Sequence, residues 1–255
     1  MTLKVNDFEI IYSRLSKHLR NGNEYLEHYL ETPIKDYSLI KIILGKGNRH
    51  KALISAGIHG DEPCGVEAIC SFLENNRFES FSDTWELSLL PCLNPYGYEF
   101  GLRENHNGKD LNRLFRHSAP PEEVEFAQSN FDKNYELTIE LHEDSMTPGY
   151  YLYQKGTHPE DEIVGDEILK AIKNIMPINL NDEIDGCSAQ GGIIIQQRNW
   201  SAMDWWPMAI YALSKGTRRT LTLETATQFA MQTRVEAHLK AIDTALSFYT
   251  EKFKN

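Results

Sequence analysis

The sequence predicts an α/β fold. Helical and strand patterns alternate from one end to the other, and three of the apolar runs finish in a residue able to bind metal or carry a proton. No repeat, low-complexity tract or Pro/Gly/Ser linker divides the chain. With 255 residues, 41% of them hydrophobic and 25% charged, it is long enough for one sizeable core and short for two. A single domain over residues 1–255 is therefore expected.

The elements follow in order. Phe8, Ile11, Tyr12, Leu15 and Leu19 recur at helical spacing. Residues 38–44 and 51–58 are apolar runs on either side of a turn at 45–48, and read as a β-hairpin. The second run delivers His59 to a strand's carboxyl end, where open α/β sheets place their ligands. Pro63 suits a first helical turn, and Val66, Ala68, Ile69, Phe72 and Leu73 give the helix that follows an apolar face ending near Asn75. Residues 86–93 form the next strand, closed by the turn residues Asn94, Pro95, Tyr96 and Gly97.

A polar stretch without periodicity then runs from residue 100 to about 121. Residues 122–132 and 160–175 read as helices, 192–196 as a buried strand and 203–213 as a further helix. Residues 135–141 and 219–223 are strands that end at His142 and Glu224. Val235, Leu239, Ile242, Ala245, Leu246, Tyr249 and Phe253 make an amphipathic C-terminal helix for one sheet face, a core role and nothing more.

Composition removes whole classes of function. A net charge of -11 disfavours nucleic acid, since phosphate contacts need clustered Lys and Arg. No run approaches the roughly 20 apolar residues that span a bilayer, and residues 1–7 lack the apolar block of a secretory signal. Cys64, Cys70, Cys92 and Cys187 show no paired metal-ligand spacing and are too few for a disulfide scaffold. The expectation is a cytoplasmic protein with reduced thiols, acting on small molecules or peptides without nucleic-acid or membrane partners.

The residues at the three strand ends carry the chemistry. A catalytic zinc takes three nitrogen or oxygen side chains and keeps one position open for water. His59, Glu62 and His142 supply that set for one Zn2+, and Glu224 is left to move protons. A histidine at a strand end is, by itself, an ordinary hydrogen-bonded or surface residue; three useful strand ends at one sheet edge are not. The long loop adds Arg103, Asn107, Asp110, Asn112 and Arg113. Asn112 and Arg113 together suit a bidentate hold on a carboxylate, and Arg103 can face an oxygen that gains negative charge. Glu143 and Asp144 face solvent or brace a ligand.

In this order the residues resemble the zinc carboxypeptidase superfamily, peptidase family M14, with its succinylglutamate desuccinylase and aspartoacylase relatives. The family runs His-x-x-Glu, Arg, Asn-Arg, His, Glu; here these are His59 and Glu62, Arg103, Asn112 and Arg113, His142, and Glu224, spread over residues from about 50 to 226. The resemblance implies a three-layer α/β/α sandwich around a mixed, twisted sheet of about eight strands. It also implies zinc on His59, Glu62 and His142, an oxyanion contact from Arg103, carboxylate binding by Asn112 and Arg113, and Glu224 as general base.

Two features cut across the resemblance. Residues 201–205 (Ser, Ala, Met, Asp, Trp) are similar to a segment that follows a mobile tyrosine in the carboxypeptidases, yet residues 196–200 contain no tyrosine. Residues 57–62 and 110–115 are similar to the desuccinylase and aspartoacylase version, whereas 141–145 and 150–153 look like the peptidase branch.

The expected activity is that of a metallocarboxypeptidase cleaving an amide next to a free carboxylate. The competing reading is an N-acyl amino acid deacylase of the desuccinylase and aspartoacylase type. Two further alternatives are a non-haem iron oxygenase using His59, Asp61 and His142, which the α/β pattern disfavours, and a non-catalytic binding module, which has no use for Glu224. Trp200, Trp205, Trp206 and Met203 either border a specificity pocket or belong to the core.

Overall fold

A computed structural model describes residues 3–19, 24–131, 134–158, 163–195 and 202–254. Within it, ten strands form one mixed sheet: β1 (Glu24–Leu30), β2 (Tyr37–Leu44), β3 (His50–Ala56), β4 (Trp85–Leu90), β5 (Leu137–Asp144), β6 (Tyr151–Gly156), β7 (Glu183–Ile184), β8 (Cys187–Gln190), β9 (Ile193–Ile194) and β10 (Arg219–Ala226). Their spatial order is β1-β2-β4-β3-β5-β10-β6-β9-β8-β7. The sheet is thus wider than the eight strands expected, because a short β7–β8–β9 extension is added beyond β6.

The centre consists of parallel neighbours β4, β3, β5 and β10, with β2 and β6 antiparallel on either flank. Parallel strands covered on both faces read as continuous apolar runs, and β4 is buried along its whole length. Helices α1 (Phe8–Leu19), α2 (Pro63–Glu74), α3 (Pro95–Phe100), α4 (Glu122–Gln128), α5 (Val164–Ile172), α6 (Met208–Ser214) and α7 (Met231–Lys254) cover the sheet. Side chains alternate across a strand, so β5 sends Ile139 and Leu141 to one face and Glu140 and His142 to the other. On the first face α2 packs so closely that a Cβ on Gly65 would stand 2.8 Å from the Leu141 Cβ. There α7 buries Val235, Leu239, Ile242, Leu246 and Tyr249, each large side chain stabilising by about 1.5–3 kcal/mol.

The hairpin expected from residues 38–44 and 51–58 does not form. Strand β4 lies between β2 and β3, antiparallel to the first and parallel to the second. The connecting loop instead passes over the start of β4. Gly45 has φ +61°, and a Cβ there would lie 2.4 Å from the Trp85 carbonyl oxygen. Asn48 Nδ2 donates to that oxygen at 2.9 Å, and Gly47 N–H donates to Glu86 Oε2 at 2.8 Å. Only glycine fits a positive φ against a backbone so near.

Other boundaries move for local reasons. The Asn94 turn is also a helix start: its Oδ1 accepts from Gly97 N–H at 2.9 Å, and α3 follows. The helix expected over 203–213 begins at Met208, after Pro207. The strand expected over 192–196 is confined to Ile193–Ile194, with Ile195 already exposed. Of the helix expected over 160–175, Val164–Ile172 is helical, and 159–162 lie outside the described residues.

Candidate active site

Strands β3, β5 and β10 are neighbours running in one direction, so their carboxyl ends open on one edge of the sheet. Past β3 the chain turns at Gly57, φ +62°, and presents His59 and Glu62 before α2 begins. His142 stands within β5, and Glu224 is its direct Cα partner on β10. One ligand atom from each of His59, Glu62 and His142 lies within 4.8 Å of the others, and all three residues are buried.

The Glu62 carboxylate is the hub. Its Oε1 lies 2.7 Å from His59 Nδ1 and its Oε2 2.8 Å from His142 Nδ1. Burial alone would raise the Glu62 carboxyl, but the His142 and His59 imidazoles hold it well below the usual carboxylate range. Burial would lower the His142 imidazole, yet Glu62, Glu140 and Glu224 around it drive it well above its ordinary value. Two imidazole nitrogens converging on one carboxylate form the donor set that suits a divalent ion of borderline softness, with room for a fourth ligand.

Outer contacts fix the ligands. Asp110 Oδ1 lies 3.2 Å from His59 Nε2, and its Oδ2 accepts from Arg103 Nε at 3.1 Å. Such a carboxylate sets the ring orientation and leaves Nδ1 to bind. Arg103 also donates from Nη1 to Glu62 Oε1 at 3.3 Å, which places its guanidinium beside the ligand cluster. Asp110 is thus bonded to His59, Arg103 and the Asn112 N–H, which donates to Oδ1 at 3.0 Å, and no ion pair joins it to Arg113 among the described residues. Behind His142, His238 of α7 donates from Nε2 to the His142 carbonyl at 3.2 Å. Burial holds the His238 imidazole down to about 3, so it stays neutral. Glu143 points to the opposite face, where it accepts from Cys64 N–H at 2.6 Å and from Arg234, while its own N–H donates to Glu62 Oε2 at 3.2 Å.

His59, Glu62, Arg103 and His142 line a cavity of about 340 Å³ whose floor is the sheet itself. Register puts His142, Glu224 and Tyr151 in one row across β5, β10 and β6, and Glu140, Thr222 and Tyr153 in the next. Burial first, with the nearby Glu62 charge, drives the Glu224 carboxyl well above the usual range against the pull of His142. On the cavity wall, Asn112 Oδ1 accepts from Met208 N–H at 2.9 Å, so what Asn112 can offer a ligand is its Nδ2 donor. Arg113 stacks on Trp205 with 4.2 Å from guanidinium to ring centre and donates from Nη1 to the Asn112 carbonyl at 3.2 Å. Both side chains are thus fixed in place on the cavity wall.

The structure thus gathers every residue singled out for the site: His59, Glu62, Arg103, Asn112, Arg113, His142 and Glu224 all line this cavity. Asp61 is exposed and outside the cluster, which removes the facial triad that an iron oxygenase would need. Met203 and Trp205 border the cavity; Trp206 packs against the core, and Trp200 lies outside the described residues. Residues 196–200, which lack the tyrosine, and Ser201 of the 201–205 segment are likewise outside them. Sequence reasoning passed over the bracing role of Asp110, and Glu140 and His238 altogether. Glu140 carried a signal, since it sits two residues before His142 on a strand and so shares its face.

Comparison with known proteins gives concordant results. Residues 48–185 match the succinylglutamate desuccinylase/aspartoacylase catalytic domain. A curated relative, murein peptide amidase A of Escherichia coli (strain K12), is 38% identical over 68 residues, which are 27% of this chain and 26% of that protein. The match spans about a quarter of that relative's length. A candidate metallopeptidase from Shewanella denitrificans OS217 superposes with a TM-score of 0.78 at 22% identity, over 93% of this chain and 88% of the other. A metallo-carboxypeptidase from Burkholderia cenocepacia gives a TM-score of 0.70 at 16% identity, over 97% and 70%. These structures share the carboxypeptidase-like fold. No helix among the described residues is long and apolar enough to cross a membrane.

Proposed function

The chain belongs to the succinylglutamate desuccinylase/aspartoacylase catalytic domain family of hydrolases, and on that premise we propose that it is a zinc-dependent amidohydrolase cleaving an amide bond next to a free carboxylate. The observation that carries this reading is the convergence of one ligand atom each from His59, His142 and Glu62 within 4.8 Å, with Glu224 on the strand beside His142. In this proposal His59, Glu62 and His142 hold one Zn2+, which when bound lowers the pKa of a water toward ~7 and polarises the scissile carbonyl.

The remaining roles belong to the chain's own residues. Glu224 takes the proton of the attacking water and passes it to the leaving amine, a task its raised carboxyl suits. Arg103, beside Glu62, donates to the oxygen on which negative charge develops. Asn112 Nδ2 and the Arg113 guanidinium hold the substrate's carboxylate, which fixes the scissile bond over the ligand cluster.

Small peptides are the favoured substrates, with N-acyl amino acids as the second reading. The match to a murein peptide amidase favours the first, and the family assignment keeps the second in play. Zinc-loaded protein should be given short peptides, murein-type peptides and N-succinyl and N-acetyl amino acids side by side. Cleavage of the peptides supports the first reading. Release of acid from the N-acyl amino acids without peptide cleavage reverses the ranking.

A further inference from the structure

The start of α2 and the ligand turn compete for the same carboxylate. Glu62 stands at the N-cap of α2, yet it makes no side-chain cap bond, because its two oxygens are turned to His59 and His142. The first N–H groups of a helix need acceptors from outside it. Glu143 supplies one: its Oε1 accepts from Cys64 N–H at 2.6 Å, and a negative charge suits a helix N-terminus. The same residue's N–H donates to Glu62 Oε2 at 3.2 Å. Strand β5 is thereby joined to the ligand turn twice, at the helix start and at Glu62 itself.

Arg234, near the start of α7, closes this arrangement. Its Nη1 donates to Glu143 Oε2, and its Nε donates to the Phe229 carbonyl at 3.0 Å. Phe229 N–H donates in turn to the carbonyl of Ala226, the last residue of the strand that carries Glu224, at 3.2 Å. The Arg234 side chain is 12% exposed and that of Glu143 0%, so water and salt screen the pair little. One guanidinium thus touches β5 and the loop after β10 and, through Glu143, the start of α2. These are the segments that present His142, Glu224 and the His59–Glu62 turn. One turn further along α7, His238 lies on the same helix face and donates to the His142 carbonyl. Arg234 is not among the residues that line the cavity, so its effect on the site passes through these bonds.

We infer that Arg234 is a positioning residue that, with Glu143, holds Glu62, His142 and Glu224 at their mutual spacing. The inference rests on the proposed hydrolase reading, in which His59, Glu62 and His142 hold zinc. A planar guanidinium with donors on separate nitrogens serves two acceptors at once, whereas an ammonium is a single point charge. Lysine at this position keeps the charge opposite Glu143 and gives up the tie to Phe229.

The test compares wild type, Arg234→Met and Arg234→Lys, each first shown by circular dichroism to be folded. Zinc affinity is measured by chelator competition without denaturant, and kcat and KM on whichever peptide the wild type cleaves, with the protein fully zinc-loaded. Arg234→Met should bind zinc at least about tenfold more weakly. Its kcat should fall at least about tenfold with KM little changed, because Asn112 and Arg113 are untouched, and Arg234→Lys should lie between it and wild type. Wild-type zinc affinity and kcat in a folded Arg234→Met overturn the inference and leave the ion pair a purely stabilising role, seen only in urea unfolding of the metal-free chain. Where Arg234→Met does not fold, Arg234→Lys decides: weaker zinc binding supports the inference and unchanged binding overturns it. If zinc binds and nothing is cleaved, zinc affinity alone decides. If the wild type binds no zinc, the hydrolase reading fails, and amide exchange in the metal-free chain decides in its place. Faster exchange at Cys64 and Glu143 in Arg234→Lys, relative to the amides of β4, then supports the positioning role, and equal exchange overturns it.

Discussion

Glu224 and His142 are direct partners across the parallel β5–β10 ladder, so both side chains leave the sheet on the same face and meet at its carboxyl edge. In the proposed mechanism two jobs, holding an ion and moving a proton, fall to these adjacent strands. Changing Glu224 to Gln keeps the shape and removes the base. The expected outcome is a fall in kcat of about 10² to 10⁴ with zinc content unchanged, whereas His142→Ala loses the metal. Turnover by Glu224→Gln at the normal rate would show that another group is the base.

Asp110 touches no proposed substrate atom, yet it holds both His59 and Arg103. Asp110→Asn should weaken zinc binding by about 10- to 100-fold in a chelator competition. An unchanged affinity would mean that the His59 ring is oriented by its packing alone.

Gly60 lies where the His59 turn meets α3. A Cβ at this position would stand 1.9 Å from Gly97 C and 2.2 Å from Tyr98 N, both backbone atoms that cannot swing aside. Gly60→Ala should therefore destabilise the fold by about 1–3 kcal/mol in urea unfolding and reduce zinc affinity as the turn moves. A variant of wild-type stability would contradict the close packing of these two backbones.

Helix α1 is tied to α2 by an acid-sensitive clamp. Arg14 donates from Nε and Nη2 to the two Glu74 oxygens, each at 2.8 Å, and from Nη1 to Glu67 Oε2 at 2.6 Å. The hydrogen bond to Arg14 lowers the Glu74 carboxyl below its ordinary value of 4.5. A depressed carboxyl contributes stability that is fully present above the unfolded pKa and lost as pH falls through the folded one. Glu74 is partly exposed, so the contribution is under about 1 kcal/mol. Glu74→Gln should lower the melting temperature at pH 7, and the gap to wild type should close below about pH 4. A gap that does not depend on pH would assign the effect to packing.

Of the proposed metal ligands, His59 and His142 were legible because each lies at or just past the carboxyl-terminal part of an unambiguous apolar run, and parallel strands must expose their carboxyl ends on one edge; Glu62 follows His59 on the same turn. Pairing was less legible. The 45–48 turn has the chemistry of a hairpin, and nothing local says that β4, some forty residues later, comes between. Asn94 and Pro95 signal a turn and a helix start equally well, since a side-chain cap and a proline in the first turn serve both. Strand β1 is an edge strand exposed along most of its length, so it lacks the alternation that marks a strand. Asp110 lies 51 residues from the histidine it orients, and that relation exists only in three dimensions.

The loop at Gly45 has a consequence for how the chain reaches its fold. The quickest pairing available to β2 is with β3, just across a short turn, and that pairing is wrong. Native β2 and β3 stand two strand spacings apart, about 9.6 Å, with the slot between them reserved for a segment made later. Any early collapse onto the local hairpin would have to be undone before β4 could enter, so refolding from denaturant is expected to be governed by a slow strand-insertion step rather than by helix formation.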